Sequence, residues 1–374
     1  MKSISITMSH ELLVEDVNQP SLGNHDDVRV KTLRTGICST ERELFHQEIN
    51  TPEGDDFLIL GHEAVGEVVE TGSAVVGLKK GDIVVPSVRR GCGECVFCNN
   101  NRVDMCSTGK YTERGIVKLH GFMSEYFVEQ EANLTKIPQE LKYQAVMLEP
   151  LTIGIKALEE YYKVQKSRLR ITEEISEKDI LKNALIIGAG PIGLLTAVVL
   201  ACDGIQFTCI DIDEDGGIKS EVARMLNGQY VNLHEYLDKG EMDCNKLSSE
   251  KSIGNIDLII DASPDPVTCM QLIDLLNFNG AIIHLGLPAG NEERRIKLLD
   301  HYITSLVLKN GVILGSVNAN VTNFTSGVEY MRQANKKFGN VLERIITHKV
   351  SVDEYQKAFD VPSKERIKVV LEWE

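Results

Sequence analysis

Four cysteines stand close together with the spacing of a metal site. They follow the pattern Cys92-x2-Cys95-x2-Cys98-x7-Cys106. Thiolates at steps of three can surround one ion from a single loop, and a fourth thiolate completes the tetrahedron that Zn²⁺ prefers. Because four thiolates leave no open position for water or substrate, we expect a structural zinc site. The alternative is a group of buried free thiols or an adventitious disulfide.

A second set of metal donors is dispersed along the chain. Cys38, His62, Glu63 and Glu149 offer a thiolate, an imidazole and two carboxylates. Such a set can hold zinc with one position open, which is typical of a catalytic zinc that polarises an alcohol oxygen. The spacing alone does not identify a site, because a single cysteine is more often a small core residue.

A glycine-rich turn follows an apolar strand at 185–187. It reads Gly188-Ala189-Gly190-Pro191-Ile192-Gly193, and an apolar helix to about Cys202 and a strand at 207–210 come after it. The glycines permit a tight turn, a close approach of the backbone to a pyrophosphate, and close packing of helix on strand. The order predicts a dinucleotide site, with the phosphates at the helix N-terminus.

An acidic residue follows the second strand of this motif. Asp211 is placed to accept hydrogen bonds from the adenosine ribose hydroxyls. Asp213, Glu214 and Asp215 add negative charge that would repel a 2′-phosphate, although Lys219 is nearby. We therefore predict NAD as the preferred cofactor, with NADP possible. Gly286 and Val317 complete the residues expected to contact the cofactor.

The elements that position these residues fall into two patterns. Short strands at 28–33, 64–70 and 82–86, separated by turns, predict a compact barrel-like β domain. From 184 to about 311, apolar strands alternate with helices, as in a buried parallel sheet. Helical segments at 143–148 and 152–162 are expected to be separated at Glu149-Pro150, because proline displaces the preceding residue from helical angles. The polar stretch 163–182 is interpreted as a solvated helix or linker, and a closing strand is expected at 367–371.

Composition limits the class of protein. A chain of 374 residues favours two domains, and a formal charge of −15 disfavours nucleic acid and anionic membranes as partners. Nine cysteines without an export signal favour free thiols and metal ligands over a disulfide framework. We expect a cytoplasmic location.

The motifs together resemble a known family. Gly36-x-Cys38-x-Thr40-Glu41, Gly61-His62-Glu63-Ala64-x-Gly66, the four cysteines and the glycine-rich turn occur in the order found in zinc-dependent medium-chain dehydrogenases. Within that family the chain is most similar to the archaeal-type glucose 1-dehydrogenases. The supporting stretches are 88–92, 111–116, 120–126, 149–151 and 315–320.

The resemblance implies an α/β fold in which a Rossmann doubly wound parallel sheet accompanies a mainly β, GroES-like catalytic domain. The expected catalytic domain is 1–155, with the structural zinc lobe at 88–110. The Rossmann domain is 156–315, and 316–374 returns to the catalytic domain. Homodimers or homotetramers assembled through the nucleotide domains are also implied.

The resemblance further assigns roles to single residues. Cys38, His62 and Glu63 would surround the catalytic zinc, with Glu149 as a direct or water-mediated ligand. Thr40 would hydrogen-bond the reacting hydroxyl, and Glu41 would orient the His62 imidazole. A sugar would be bound by Thr40, Glu113, Glu149 and Asn318. Val88 and Ile153 stand where some sugar dehydrogenases carry polar residues, which leaves the preferred epimer open.

The implied reaction transfers hydride from the anomeric carbon of an aldose, expected to be D-glucose, to NAD(P) and gives the aldonolactone. Two zinc ions per subunit are expected. One alternative is a polyol, threonine or secondary-alcohol dehydrogenase on the same scaffold. The other is a nucleotide-binding protein that has lost catalysis.

Overall fold

The computed structural model describes residues 1–46, 48–170, 177–238, 241–251, 253–287 and 292–373. The chain divides into two compact units. The β-rich unit comprises Met1–Thr152, Asn318–Arg332 and Ile346–Glu374, and the α/β unit comprises Ile153–Val317 and Gln333–Ile345. In the described part of the chain, no helix has the length and apolar character needed to cross a membrane.

The strands are β1 Lys2–Thr7, β2 Leu12–Asp16, β3 Asp27–Ile37, β4 Phe57–Ile59, β5 Ala64–Thr71, β6 Ile83–Pro86, β7 Arg89–Arg90, β8 Thr112–Arg114, β9 Lys118–Leu119, β10 Tyr126–Gln130, β11 Leu134–Ile137, β12 Asn183–Ile187, β13 Gln206–Asp211, β14 Gln229–Asn232, β15 Leu237–Asp238, β16 Glu241–Met242, β17 Ile256–Asp261, β18 Leu276–His284, β19 Val312–Gly315, β20 Ile346–Ser351 and β21 Lys368–Glu372. The α-helices are α1 Ser39–Glu43, α2 Val96–Asn99, α3 Leu148–Arg168, α4 Glu177–Ile180, α5 Pro191–Asp203, α6 Ile218–Met225, α7 Cys244–Lys251, α8 Pro266–Leu272, α9 Glu292–Leu308, α10 Val321–Phe338, α11 Val341–Ile345 and α12 Tyr355–Asp360.

The β-rich unit is built on a seven-stranded sheet. Its order is β11-β6-β5-β3-β21-β20, and β10 pairs with β3. The last strand, β21, lies antiparallel to β3 with Val370 opposite Gly36, so the C-terminal segment completes the sheet that leads into Cys38. A three-stranded sheet β2-β1-β4 and the small sheet β7-β8-β9 accompany it. Buried side chains such as Val28, Val30 and Val68 form the core, as the period-two pattern of β3 and β5 predicts.

The α/β unit contains a six-stranded parallel sheet of order β14-β13-β12-β17-β18-β19. This order places the first strand at the centre, where the direction of winding reverses, and ligands of such sheets bind at the carboxyl ends of these strands. The register aligns those ends, because Ile187 pairs with Asp261 and Asp261 pairs with His284. The fold class predicted from the sequence, a Rossmann sheet plus a β-rich GroES-like domain, is confirmed.

One local prediction is wrong. Glu149 and Pro150 do not interrupt a helix but lie in the first turn of α3, and the preceding residues form a single 3-10 turn at Ala145–Met147. Proline is tolerated there because the first helical turn has no intrahelical partner for its N–H group. In the polar stretch 163–182, α3 continues to Arg168 and α4 covers Glu177–Ile180. Residues 171–176 lie outside the described residues.

Candidate functional site

The four cysteines of the predicted structural site come together in one loop. The ligand atoms of Cys92, Cys95, Cys98 and Cys106 all lie within 4.8 Å of one another. Cys95 caps α2, and the backbone amide of Cys98 donates to its sulfur at 3.4 Å. This bond, followed by one from the Ser107 amide, lowers the pKa of Cys95 to about 5. The loop therefore presents sulfur atoms, one of them already favoured as a thiolate, in a group that fits a Zn²⁺ ion.

Three of the predicted catalytic donors lie next to strands of the β-rich unit. Cys38 follows β3 and caps α1, and His62 and Glu63 come directly before β5. Ligand atoms of Cys38, Glu41 and His62 lie within 4.8 Å of one another, and those of His62, Glu63 and Glu149 form a second such group. The two groups share His62. The hydroxyl of Thr40 lies 3.9 Å from the Cys38 sulfur.

Glu41 contacts the imidazole of His62, the residue that the family resemblance implies it would orient. Its Oε1 lies 2.6 Å from His62 Nδ1, and its Oε2 accepts from the Cys38 backbone amide at 2.8 Å. Burial opposes protonation of His62, but the Glu41 carboxylate outweighs it and raises the pKa of His62 well above 6.5. With Nδ1 facing Glu41, Nε2 is the ring nitrogen left for a metal.

A buried ammonium group lies beside Glu63, and sequence reasoning missed it. Lys368 Nζ lies 2.6 Å from Glu63 Oε1, is also in contact with Oε2, and donates to the Ile37 carbonyl at 3.3 Å. Both side chains are 1% exposed. A Cβ on Gly36 would lie 1.9 Å from Glu63 Oε2, so only glycine fits there. A lone lysine in the apolar closing strand is the signal that could have found it.

Glu149 reaches the same group from the first turn of α3. Burial raises the pKa of Glu149 to about 7, and the neighbouring Glu63 carboxylate adds to the increase while His62 opposes it. The carboxyl groups of Glu41, Glu63 and Glu149 and the thiol of Cys38 thus lie around the His62 imidazole and the Lys368 ammonium, so the groups that can be negative outnumber the positive ones. A divalent cation held among Cys38, His62, Glu63 and Glu149 would offset the excess of negative charge, so the donor set fits zinc.

Two of the four residues expected to bind sugar, Glu113 and Asn318, contact each other in the β-rich unit. Asn318, which has a left-handed backbone (φ 60°), donates to Glu113 Oε1 at 2.5 Å. Arg89, which sequence reasoning also missed, donates to the same oxygen from Nε at 2.9 Å. A Cβ on Gly115, in the turn after Glu113, would lie 2.6 Å from the Gly61 carbonyl. The turn that follows Glu113 therefore packs against the residue that precedes His62.

The glycine-rich turn of the α/β unit has the geometry expected of a phosphate site. Gly188 has φ 92°, and a Cβ on Gly193 would lie 1.9 Å from the Gly188 carbonyl. Gly190 caps α5, and Pro191 occupies its first turn ahead of Ile192. A Cβ at Gly190 would meet no described atom within 4 Å, so the backbone there is open to close approach.

Asp211 ends β13 and contacts the same turn. Its Oδ2 accepts from the Ala189 amide at 2.6 Å. Lys219 Nζ lies 3.2 Å from Asp211 Oδ1 and 2.6 Å from Asp213 Oδ2, so the lysine noted in the sequence is paired with this acidic group. The ammonium offsets part of the negative charge that was expected to repel a 2′-phosphate.

The two remaining predicted cofactor residues lie at the carboxyl side of the same sheet. Gly286 follows β18, and its amide donates to the Asp261 carbonyl at 3.1 Å. Val317 follows β19 and is 64% exposed, and its carbonyl accepts from the buried Lys156 at 2.9 Å.

The chain combines a Rossmann unit with a β-rich unit, and the β-rich unit carries a four-cysteine loop and a Cys-His-Glu donor set. This combination defines the zinc-containing alcohol dehydrogenase class. Residues 24–139 match the alcohol dehydrogenase GroES-like domain, and residues 142–373 match the glucose dehydrogenase C-terminus. The chain belongs to the medium-chain zinc dehydrogenases, in their glucose dehydrogenase group.

Relatives that match over the whole chain support the assignment to this family. The chain is 36% identical to glucose 1-dehydrogenase 1 of Caldivirga maquilingensis, over 100% of this chain and 99% of that protein. It is 34% identical to glucose 1-dehydrogenase of Thermoproteus tenax, with the same coverage. The solved structure of Haloferax mediterranei glucose dehydrogenase in complex with NADP, Zn and gluconolactone is similar at a TM-score of 0.83. Its sequence identity is 28%, with 100% of this chain and 99% of that chain covered.

Proposed function

We propose that this protein is a zinc-dependent, NAD(P)-dependent aldose dehydrogenase that oxidises D-glucose at its anomeric carbon and forms the lactone. The observation that carries the proposal is the hydrogen-bonded group of Glu113, Arg89 and Asn318, which lies in the same unit as the metal donors Cys38, His62, Glu63 and Glu149. A simple alcohol needs an apolar pocket, whereas a polyhydroxylated substrate needs fixed hydrogen-bonding groups. The glucose 1-dehydrogenase relatives favour the aldose over a polyol, threonine or a secondary alcohol.

Within the site, Cys38, His62 and Glu63 are the proposed zinc ligands, with Glu149 as a direct or water-mediated ligand. Lys368 balances the charge of Glu63. Zinc held there would act as a Lewis acid that lowers the pKa of the reacting hydroxyl. Glu41 fixes the His62 ring through Nδ1. Thr40 hydrogen-bonds the reacting hydroxyl and helps to carry its proton, releasing its own hydroxyl proton toward solvent as it accepts that of the substrate. Cys92, Cys95, Cys98 and Cys106 hold a second, structural zinc.

For the sugar, Glu113 and Glu149 supply acceptors and Asn318 supplies an amide. For the nucleotide, Gly188, Gly190, Pro191, Ile192 and Gly193 present the phosphate turn, and Asp211 holds the ribose hydroxyls, with Gly286 and Val317 as further contacts. We propose NAD as the preferred cofactor. The pairing of Lys219 with Asp211 and Asp213 supports use of NADP as well.

We also propose a homo-oligomer assembled through the α/β unit. The edge strand β19 exposes Ile313, and α9 exposes Leu299, Ile303 and Val307 at successive turns. An edge strand and an exposed apolar stripe on a helix each favour a contact with a second copy. All nine cysteines are unbridged, which supports the proposed cytoplasmic location.

A substrate panel tests the proposed activity. The purified protein is incubated with aldoses, polyols, threonine and secondary alcohols plus NAD or NADP, with and without a chelator, and formation of the reduced nucleotide is followed. We expect D-glucose to be turned over and the chelator to abolish the reaction. Turnover of a polyol, threonine or secondary alcohol without turnover of any aldose would overturn the assignment.

A further inference from the structure

The carboxylate of Glu113 is held by one oxygen only. Oε1 receives Arg89 Nε and Nη2, each at 2.9 Å, and Asn318 Nδ2 at 2.5 Å. No described residue donates to Oε2. The three donors therefore fix the orientation of the carboxylate and leave Oε2 as the acceptor for a ligand hydroxyl.

Arg89 is itself fixed from the other side. Its Nη1 donates to the Asp104 carbonyl at 2.8 Å, and its guanidinium carbon lies 3.9 Å from the centre of the Tyr111 ring. The side chain is 8% exposed. Since its nitrogens are used by Glu113 and Asp104, Arg89 serves to hold Glu113 rather than to bind a substrate.

Asp104 belongs to the four-cysteine loop. It lies between Cys98 and Cys106, and its fully buried carboxylate accepts from Arg102 at 3.0 Å and from Asn320 Nδ2 at 3.2 Å. Asn320 also contacts the Asn101 carbonyl in the same loop. Through its carbonyl and its carboxylate, Asp104 thus holds both Arg89 and the segment that carries Asn318.

We propose that Arg89 and Asp104 are positioning residues through which the four-cysteine loop holds Glu113 and Asn318 for the sugar. The inference rests on the proposed function, and it gives the structural zinc loop a part in substrate affinity. Because Cys38, His62 and Glu149 lie in other segments, weakening this chain of contacts raises the KM for the sugar and leaves kcat and the KM for the nucleotide close to their original values.

The test compares steady-state kinetics for D-glucose at saturating NAD or NADP in R89K and D104N with the wild type. R89K keeps the charge but loses the paired contacts with Glu113, and D104N keeps the shape but loses the carboxylate charge. We expect the KM for D-glucose to rise about tenfold, as for lost hydrogen bonds to a charged group. We expect kcat and the nucleotide KM to change less than about threefold, with zinc content per subunit unchanged. K110A is the matched control, since Lys110 is an exposed residue after the same loop that pairs with Glu94.

If the wild type turns over D-glucose and the KM for D-glucose is unchanged in both R89K and D104N, the inference is overturned while the proposed function stands. A wild-type protein that oxidises no aldose would overturn the proposed function. If D104N or R89K loses zinc or fails to fold, the KM for D-glucose is measured in N320A instead. Asn320 lies outside the four-cysteine loop and contacts Asp104 directly. An unchanged KM for D-glucose in folded, zinc-replete N320A would likewise contradict the inference.

Discussion

Lys368 and Glu63 form a buried ion pair across 305 residues of sequence, with Nζ 2.6 Å from Oε1. The pair joins the last strand of the β-rich unit to the residue that follows His62. Burial lowers the pKa of Lys368, but the Glu63 carboxylate, followed by Cys38, outweighs it and raises that pKa above its ordinary value. The negative charge of the buried Glu63 carboxylate is therefore balanced by the lysine of the last strand.

Substitution of Lys368 by Met should leave the Glu63 carboxylate buried without its partner. We expect the free energy of unfolding to fall by about 3 kcal/mol or more, because removing one member of a buried pair strands the other. Urea denaturation measures this loss, and K368R, which keeps the charge, should retain most of the stability. An unfolding midpoint of K368M equal to that of the wild type would contradict the role assigned to Lys368.

The nucleotide preference should depend on the balance between Asp211 and Lys219. D211A combined with I212R removes the carboxylate and adds a cation at an exposed neighbour, so kcat/KM for NADP relative to NAD should rise about tenfold or more. K219M should shift the ratio toward NAD. Steady-state kinetics with both nucleotides give the ratios, and I212R alone is the control. A ratio in the double variant no higher than in wild type would show that Asp211 is wrongly assigned.

Glu129 should make the stability of the β-rich unit depend on pH. Burial opposes ionisation of its carboxylate, but Arg114 and Arg90 outweigh it and lower the pKa of Glu129 below 4.5. Since the folded-state pKa is the lower one, this group stabilises the fold above about pH 4.5. That contribution is lost as the pH falls through the folded-state value.

E129Q should therefore unfold more readily at neutral pH, by about 3 kcal/mol. The difference from wild type should narrow as the pH is lowered below about 4.5. Denaturant unfolding at several pH values checks this, with E94Q, an exposed carboxylate, as the control. A difference that is independent of pH would rule out the charge of Glu129 as its cause.

Local patterns in the sequence predict much of this fold. The strand predicted at 207–210 lies within β13, and the turn 188–193 has the required φ at Gly188, because apolar runs and glycine positions reflect local geometry. Contacts between distant segments leave no such pattern. Lys368 beside Glu63, and Arg89 between Glu113 and Asp104, follow from strand pairing and loop packing. The Glu149-Pro150 pair misleads because proline is compatible with a first helical turn as well as with a break.

Zinc content measured together with glucose oxidation in H62A tests whether a zinc ion bound by His62 takes part in the reaction. We expect two zinc ions per subunit in the wild type, one at the four cysteines and one at the catalytic donors, and one in H62A, with glucose oxidation lost. C95S, the matched control, should also lose one zinc ion, from the four-cysteine loop, while keeping a measurable kcat. Glucose turnover at the wild-type rate in H62A containing a single zinc ion would contradict a catalytic metal held among Cys38, His62, Glu63 and Glu149.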